Sequence, residues 1–143
     1  MNEDLITEEL ARLLPDIKFN IETHDFYTNN LGLCYFPDDW CLISEIKGMM
    51  YDYEESDIGI KYYAPTLSVL QQWLMKNHNI YVLCSLDETT EPKFVYSIKH
   101  YKNNTFINVP KYQYSDLYYT YNQCLNDGLL EAVKYIKNER NIN

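Results

Sequence analysis

The stretch APTLSVLQQWLMKNH, residues 64–78, decides the fold of this chain, together with TYNQCLNDGLLEAVKYIK at residues 120–137. In the first, Leu67, Leu70, Trp73 and Leu74 recur at helical spacing, which places apolar side chains on one face. Pro65 suits a first helical turn, where its missing N–H costs nothing, so the pattern predicts a helix over residues 65–77. Asn79 offers a left-handed exit from it. In the second stretch, Thr120 and Gln123 have the spacing of a capping box, in which hydroxyl and amide each satisfy the other residue's N–H. Cys124, Gly128 and Ala132 then recur at steps of four. Glycine inside a helix costs about 1 kcal/mol relative to alanine, so Gly128 reads as a packing residue where a helix crosses a sheet closely. Lys134, Lys137 and Arg140 suit the negative end of the helix dipole.

Between these helices the period changes to two. Ile80, Val82, Cys84 and Leu86 alternate with other residues, as expected of a strand with one face on a core. Residues 87–92 read as a polar hairpin loop. Phe94, Tyr96 and Ile98 form the inner face of the next strand, with Lys93, Lys99 and Tyr101 on the other. Asn103-Asn104 reads as a tight turn into Thr105, Ile107 and Val109, and Pro110 ends that strand. Residues 64–137 are therefore expected to form an α-β-β-β-α unit.

The first half is less regular. Thr7 precedes a short helical pattern in which Leu10, Leu13 and Leu14 share a face, and Pro15 predicts a stop or kink. Phe19, Ile21 and Thr23 alternate as a first strand, and Asn29-Asn30-Leu31-Gly32 reads as a turn. Residues 33–46 read as one or two strands interrupted at Pro37-Asp38-Asp39, and residues 47–63 as a crossing loop. The expectation is one α+β domain with an antiparallel sheet of four to six strands. The helices at 65–77 and 121–137 would cover one face of it, and the acidic segment 1–63 would complete the core.

With 143 residues, 46% of them apolar and 23% charged, the chain is globular in composition and long enough to bury a core. Its fifteen tyrosines, beside many Asn, Lys and Ile, fit an AT-rich genome. No apolar run approaches the ~18 residues that span a bilayer, which argues against a membrane partner. The acidic start Met1-Asn2-Glu3-Asp4 is unlike a signal or transit peptide. Four cysteines without close pairing are expected to stay reduced, and the expected compartment is the cytoplasm. The net charge of −9 is uneven: residues 1–57 hold fourteen acids against Arg12, Lys18 and Lys47, while residues 58–143 hold seven acids against nine bases. Such asymmetry is the mark of a partner surface, or of a plain solvated acidic face.

The residues Ala64-Pro65-Thr66 through Gln72-Trp73-Leu74 to His78, with Tyr119-x-Tyr121 and Leu125-x-x-Gly128-Leu129-x-Glu131-Ala132, resemble a family of small uncharacterised proteins of gut Bacteroidetes, their phages and mobile elements. The resemblance covers residues 64–137 and extends only thinly, at Leu10-Ala11-x-Leu13-Leu14 and near Phe19, into the first half. It implies a phage or prophage accessory protein in a bacterial host cytoplasm. It carries no functional residue with it.

Two surfaces emerge as candidates for binding. Asp38, Asp39, Asp52, Tyr53, Glu54, Glu55 and Asp57 belong to a dense acidic segment, interleaved further with Tyr51, Tyr62 and Tyr63. Tyrosines of this kind anchor protein interfaces, so a host or phage protein is the expected partner. The alternative lies between residues 92 and 115, which contain no acid but contain Lys93, Lys99, Lys102 and Lys111, interleaved with Tyr101 and other aromatics. Rings that stack on bases beside lysines that meet phosphates are what single-stranded nucleic acid requires, although Tyr96 and Phe106 are wanted for the core. The α-β-β-β-α order matches double-stranded RNA-binding domains in topology alone. The basic cluster those domains place at the second helix is here Tyr119-Thr120-Tyr121-Asn122-Gln123. Acidic and basic halves also allow self-association.

Catalysis and cofactors have weaker support. His24, His78, His100, Cys34, Cys41, Cys84 and Cys124 show no metal-ligand spacing, so no metal and no cofactor are expected. The acids at 52–57 lack the glycine and spacing of a calcium loop. Cys84 and His100 fall on the same inner-face parity, so a hairpin could set them face to face as a thiol and its base, a geometric possibility and no more. A non-enzymatic reading is favoured.

Overall fold

The computed structural model describes residues 4–28, 40–44, 60–88, 91–109 and 117–142. The chain divides into two compact units, residues 1–65 and residues 66–143. The fold is α+β throughout. In place of one sheet of four to six strands, the described residues form two three-stranded antiparallel sheets, one in each unit.

In the first unit, helix α1 (Glu8–Leu13) passes at Leu14 into a 3-10 turn, Leu14–Ile17, with Pro15 in its first positions. Leu10, Leu14 and Ile17 are buried. Lys18 then adopts a left-handed conformation, φ 60°, which ends the turn. The expected strand over residues 19–23 does not form. Its alternation is not one of burial, since Ile21 is 40% exposed, and Thr23 is held by its side chain instead. The Thr23 hydroxyl donates to the Asp25 carbonyl at 2.5 Å and accepts from the Ala64 N–H at 3.1 Å.

The strands of this unit are short: β1 (Phe26–Thr28), β2 (Cys41–Leu42) and β3 (Tyr62–Tyr63), in the order β2-β1-β3. Asp25 ties them together. Its carboxylate accepts from the Phe26 N–H at 3.0 Å, the Ser44 N–H at 3.1 Å and the Ser44 hydroxyl, and its carbonyl accepts from the Ala64 N–H at 3.2 Å. Tyr62 and Tyr63, expected in a loop, are β3 because they pair with Tyr27 and Phe26. Cys41 is disulfide-bonded, which corrects the expectation of four reduced thiols and removes cysteine usage as an argument for a reducing compartment. The expected turn at residues 29–32 and most of the segments 33–46 and 47–63 lie outside the described residues.

The second unit follows the expected α-β-β-β-α order: α2 (Leu67–His78), β4 (Ile80–Asp87), β5 (Lys93–Lys102), β6 (Thr105–Asn108) and α3 (Tyr121–Ile142). The Thr66 side chain accepts from the Val69 N–H and so caps α2. That moves the helix start past Pro65, whose carbonyl instead accepts from the Ile6 N–H at 3.1 Å. Asn79 closes the helix at φ 55°, as expected of it. At the head of α3 the Gln123 N–H donates to the Thr120 hydroxyl at 3.1 Å.

The sheet has the order β4-β5-β6. Asn103 and Asn104 are both left-handed, φ 54° and 63°, and join Lys102 to Thr105 in register, the arrangement of a two-residue I′ hairpin. Ile80, Val82, Tyr96 and Ile98 are buried on one sheet face with Leu70 and Leu74 of α2 and Cys124, Leu129, Ala132 and Val133 of α3. Gly128 sits where α3 comes closest. A Cβ there would lie 2.7 Å from Val82 Cγ1 and 3.0 Å from Tyr96 Cγ.

Candidate functional site

Strand alternation puts every second residue of β4, β5 and β6 on the sheet face away from the buried one. The register sets Tyr81 opposite Lys99, Leu83 opposite Ser97 and Ser85 opposite Val95, with Lys99 opposite Asn108 and Tyr101 opposite Phe106. This outer face therefore carries Tyr81, Leu83, Val95, Tyr101 and Phe106, with Ser85, Ser97, Lys99 and Asn108 among them. Its rings meet one another: Phe106 stands edge-on to Tyr81 at 5.5 Å and lies 4.9 Å from Tyr101. They are nonetheless accessible, with Phe106 57%, Leu83 43% and Tyr101 39% exposed. A contiguous exposed apolar patch with polar residues among it is the signature of a binding surface.

Of the residues expected on this face, Lys93, Lys99 and Tyr101 do share it. Lys93 sits opposite Asp87 and lies over the Tyr119 ring at 5.0 Å. Lys102 does not belong with them. One residue out of step, it falls on the helix side, where its Nζ lies 3.8 Å from Glu139 of α3. Phe106, expected in the core, is the most exposed residue of the patch. Lys111, and the whole acidic set Asp38, Asp39, Asp52, Tyr53, Glu54, Glu55 and Asp57, lie outside the described residues. Tyr81 and Leu83 were not singled out in the sequence. Their signal was available, because they hold the opposite parity to Ile80 and Val82.

The buried face carries two polar clusters. The Tyr135 hydroxyl donates to Glu139 Oε1 at 2.8 Å. With its one proton so engaged, its oxygen accepts from His100 Nδ1 at 3.0 Å. Burial first, then the Glu139 bond and charge, push the Tyr135 phenol up to about 12. The chain His100–Tyr135–Glu139 with Lys102 fastens the end of β5 to the last turns of α3. Cys84 and Cys124 form the second cluster, hydrogen-bonded to each other from β4 to α3. Burial raises both thiols, Cys124 the more, where the bond to Cys84 and the Asp127 charge add to it. Both remain protonated at neutral pH, and a protonated thiol is a poor nucleophile.

Cys84 and His100 do not meet. Cys84 is opposite Tyr96 in register, four positions from His100 and about 13 Å along the strand at the usual rise. Among the described residues, no group of three or more His, Cys, Asp or Glu is placed to hold a metal ion, and no helix is long and apolar enough to cross a membrane.

Compared with protein-family models, with curated proteins and with solved structures, the chain matches none.

Proposed function

We propose that this chain is a non-enzymatic interaction protein, of the phage or prophage accessory kind its resemblance implies, that binds a protein of the host or of the phage. The observation that carries the reading is the outer sheet face of Tyr81, Leu83, Val95, Tyr101 and Phe106, on which Leu83, Tyr101 and Phe106 are exposed and Tyr81 and Val95 half-buried. Aliphatic Leu83 and Val95 continue the face on one side of its ring cluster. Protein side chains bury well against such a mixture, whereas bases gain chiefly from rings. The chain's formal charge of −9 also opposes a polyanion. The acidic, tyrosine-rich set Asp38, Asp39, Asp52, Tyr53, Glu54, Glu55 and Asp57 is proposed separately, on sequence grounds, as a charged contact with a protein partner.

The test is capture from a bacterial host lysate with three baits: the native chain, Leu83→Lys with Val95→Lys, and Asp52→Lys with Glu54→Lys and Glu55→Lys. The expected result is one protein held in stoichiometric amount by the native chain and lost from both variants, while all three baits melt cooperatively. A partner held equally by the Leu83/Val95 variant overturns the assignment of this face.

A second reading has one observation in its favour, the three-ring cluster of Tyr81, Tyr101 and Phe106 beside Lys99. It makes the same face a platform for single-stranded nucleic acid. Nucleic acid recovered in place of a protein, and released steeply by salt, would select it. Lys93→Ala and Lys99→Ala would then abolish binding, and Lys102→Ala, already engaged with Glu139, would spare it.

A further inference from the structure

The two edges of the β4-β5-β6 sheet are finished differently. The Tyr101 N–H donates across to the Asn79 carbonyl at 2.9 Å, so Tyr101 directs its backbone groups toward β4. In an antiparallel ladder these directions alternate along a strand. Ile98 therefore turns toward β6, and its carbonyl accepts from the Val109 N–H at 3.0 Å. By the same alternation Val82 turns its backbone away from β5, to the outer edge of β4. That edge is blocked at Val82, whose carbonyl accepts from Gln71 Nε2 of α2 at 2.7 Å.

Among the described residues, the β6 edge is open. Phe106 is paired with Tyr101 and Asn108 with Lys99, and since both partners turn toward β4, Phe106 and Asn108 direct their own N–H and C=O groups outward. Among the described residues nothing pairs with them. All four residues of β6 are exposed, Phe106 at 57% and Ile107 at 42%. Edge strands are ordinarily guarded by a charge or a proline. Thr105-Phe106-Ile107-Asn108 contains neither.

We infer that the β6 edge pairs with the β6 edge of a second copy of this chain, antiparallel about a two-fold axis at Ile107. This goes beyond the reading above, which concerns the outer face and a different protein. The register follows from which groups point outward. With the axis at Ile107, Phe106 of each copy stands opposite Asn108 of the other, and every outward N–H of one meets an outward C=O of its mate. An axis at Phe106 would instead set Asn108 against Asn104, whose left-handed backbone cannot continue a ladder. Ile107 meets its own mate in the closer kind of pair, with Cα atoms about 4.5 Å apart. The strand itself carries no charge to repel its copy; the cations beside it, Lys99 opposite Asn108 and Lys102 opposite Thr105, sit on β5, one strand removed from the seam, and Lys102 has Glu139 beside it. Parity is kept, so the two outer faces join into one and each Phe106 ring lies beside the axis. Gln71 occupies the Val82 carbonyl midway along the first half of the other edge and interrupts any ladder there, which favours closure at two copies. One open edge gives a dimer, whereas two would give a filament.

The test is sedimentation equilibrium of the full chain over a wide concentration range, with paired charge variants at the axis. The native chain is expected to be a dimer that dissociates on dilution. Ile107→Lys and Ile107→Glu alone should each be monomeric, since like charges directly opposite repel, and an equimolar mixture of the two should dimerise again. A lone monomer at every concentration overturns the inference. So does dimerisation of each single variant as strong as that of the native chain, or a mixture that stays monomeric. Hydrogen exchange needs no variant: the amides of Phe106 and Asn108 should gain protection as concentration rises, while that of Ile107, turned toward His100, stays protected throughout. Equal protection of Phe106 and Asn108 at all concentrations also overturns it. None of these outcomes bears on the binding of a different protein to Leu83 and Val95, so the two readings fail separately.

Discussion

At Gly128 two opposing effects have known sizes. Alanine there would return about 1 kcal/mol of helix propensity, but its Cβ would stand 2.7 Å from Val82 Cγ1 and 3.2 Å from Tyr96 Cβ. Val82 is fully buried and β-branched, hence stiff at χ1, so the helix itself must move. Overpacking of this kind costs about 1–3 kcal/mol. Gly128→Ala is therefore expected to destabilise by up to about 2 kcal/mol net, and less in a Val82→Ala background, as urea unfolding of both would record. Tyr135 offers a pH test. Its phenol ionises near 10.0 ordinarily and near 12 in the fold, so the folded state holds the proton more tightly. That contribution is complete below pH 10 and is lost as pH rises through 12. The stability difference between the native chain and Tyr135→Phe should be flat below pH 10 and shrink above it. Cys84, Cys124 and Tyr121 are raised too, but their effect cancels in that difference. An unchanged difference up to pH 12 would mean that Tyr135 titrates as it does in the unfolded chain.

Among the elements, the hairpin of β5 and β6 shows why the second unit was legible in the sequence. Two adjacent asparagines in the left-handed region set a two-residue turn, and that turn alone fixes which residues of β6 face Tyr101 and His100. Left-handed backbone costs an ordinary residue roughly 1–2 kcal/mol. Asn103→Ala is expected to lose about that much, whereas Asn104→Gly should be neutral or stabilising, both measured by thermal unfolding. Thr66, Asn79, Thr120 and the small-residue stripe of α3 were readable for the same reason, since each acts within a few residues of itself. The strands of the first unit were not readable. They hold two or three residues, and Phe26 finds its partner at Tyr63, so no local period marks them. Asp25, which organises them, looks in the sequence like any other acid. On the candidate face the lysines were legible, but Lys102 was miscounted, because grouping by composition ignores the one-residue step that moves a side chain through the sheet. The exposure of Phe106 depends on β6 being an edge, which is a property of the assembled sheet.

For the whole molecule the decisive quantity is its field. The formal charge is −9, with Asp52, Glu54 and Glu55 in the acidic half. Reversing those three to lysine brings the net charge to −3, a change of two for each residue. The two readings of the outer face then predict opposite signs. A protein partner that uses the acidic segment loses its charged contacts, and association slows most at low salt, where steering is strongest. A single-stranded oligonucleotide is repelled by the native chain's field, so the same reversal should tighten its binding to the face that carries Lys93 and Lys99. The measurement is fluorescence anisotropy of a labelled oligonucleotide with native and triply reversed chain at two salt concentrations, beside capture of the protein partner. Loss of the partner, with oligonucleotide binding weak and insensitive to Lys99→Ala, is expected. Tighter oligonucleotide binding that Lys99→Ala removes would instead make the rings of Tyr81, Tyr101 and Phe106 a stacking platform, since a nonspecific gain in charge attraction would not depend on one lysine among them.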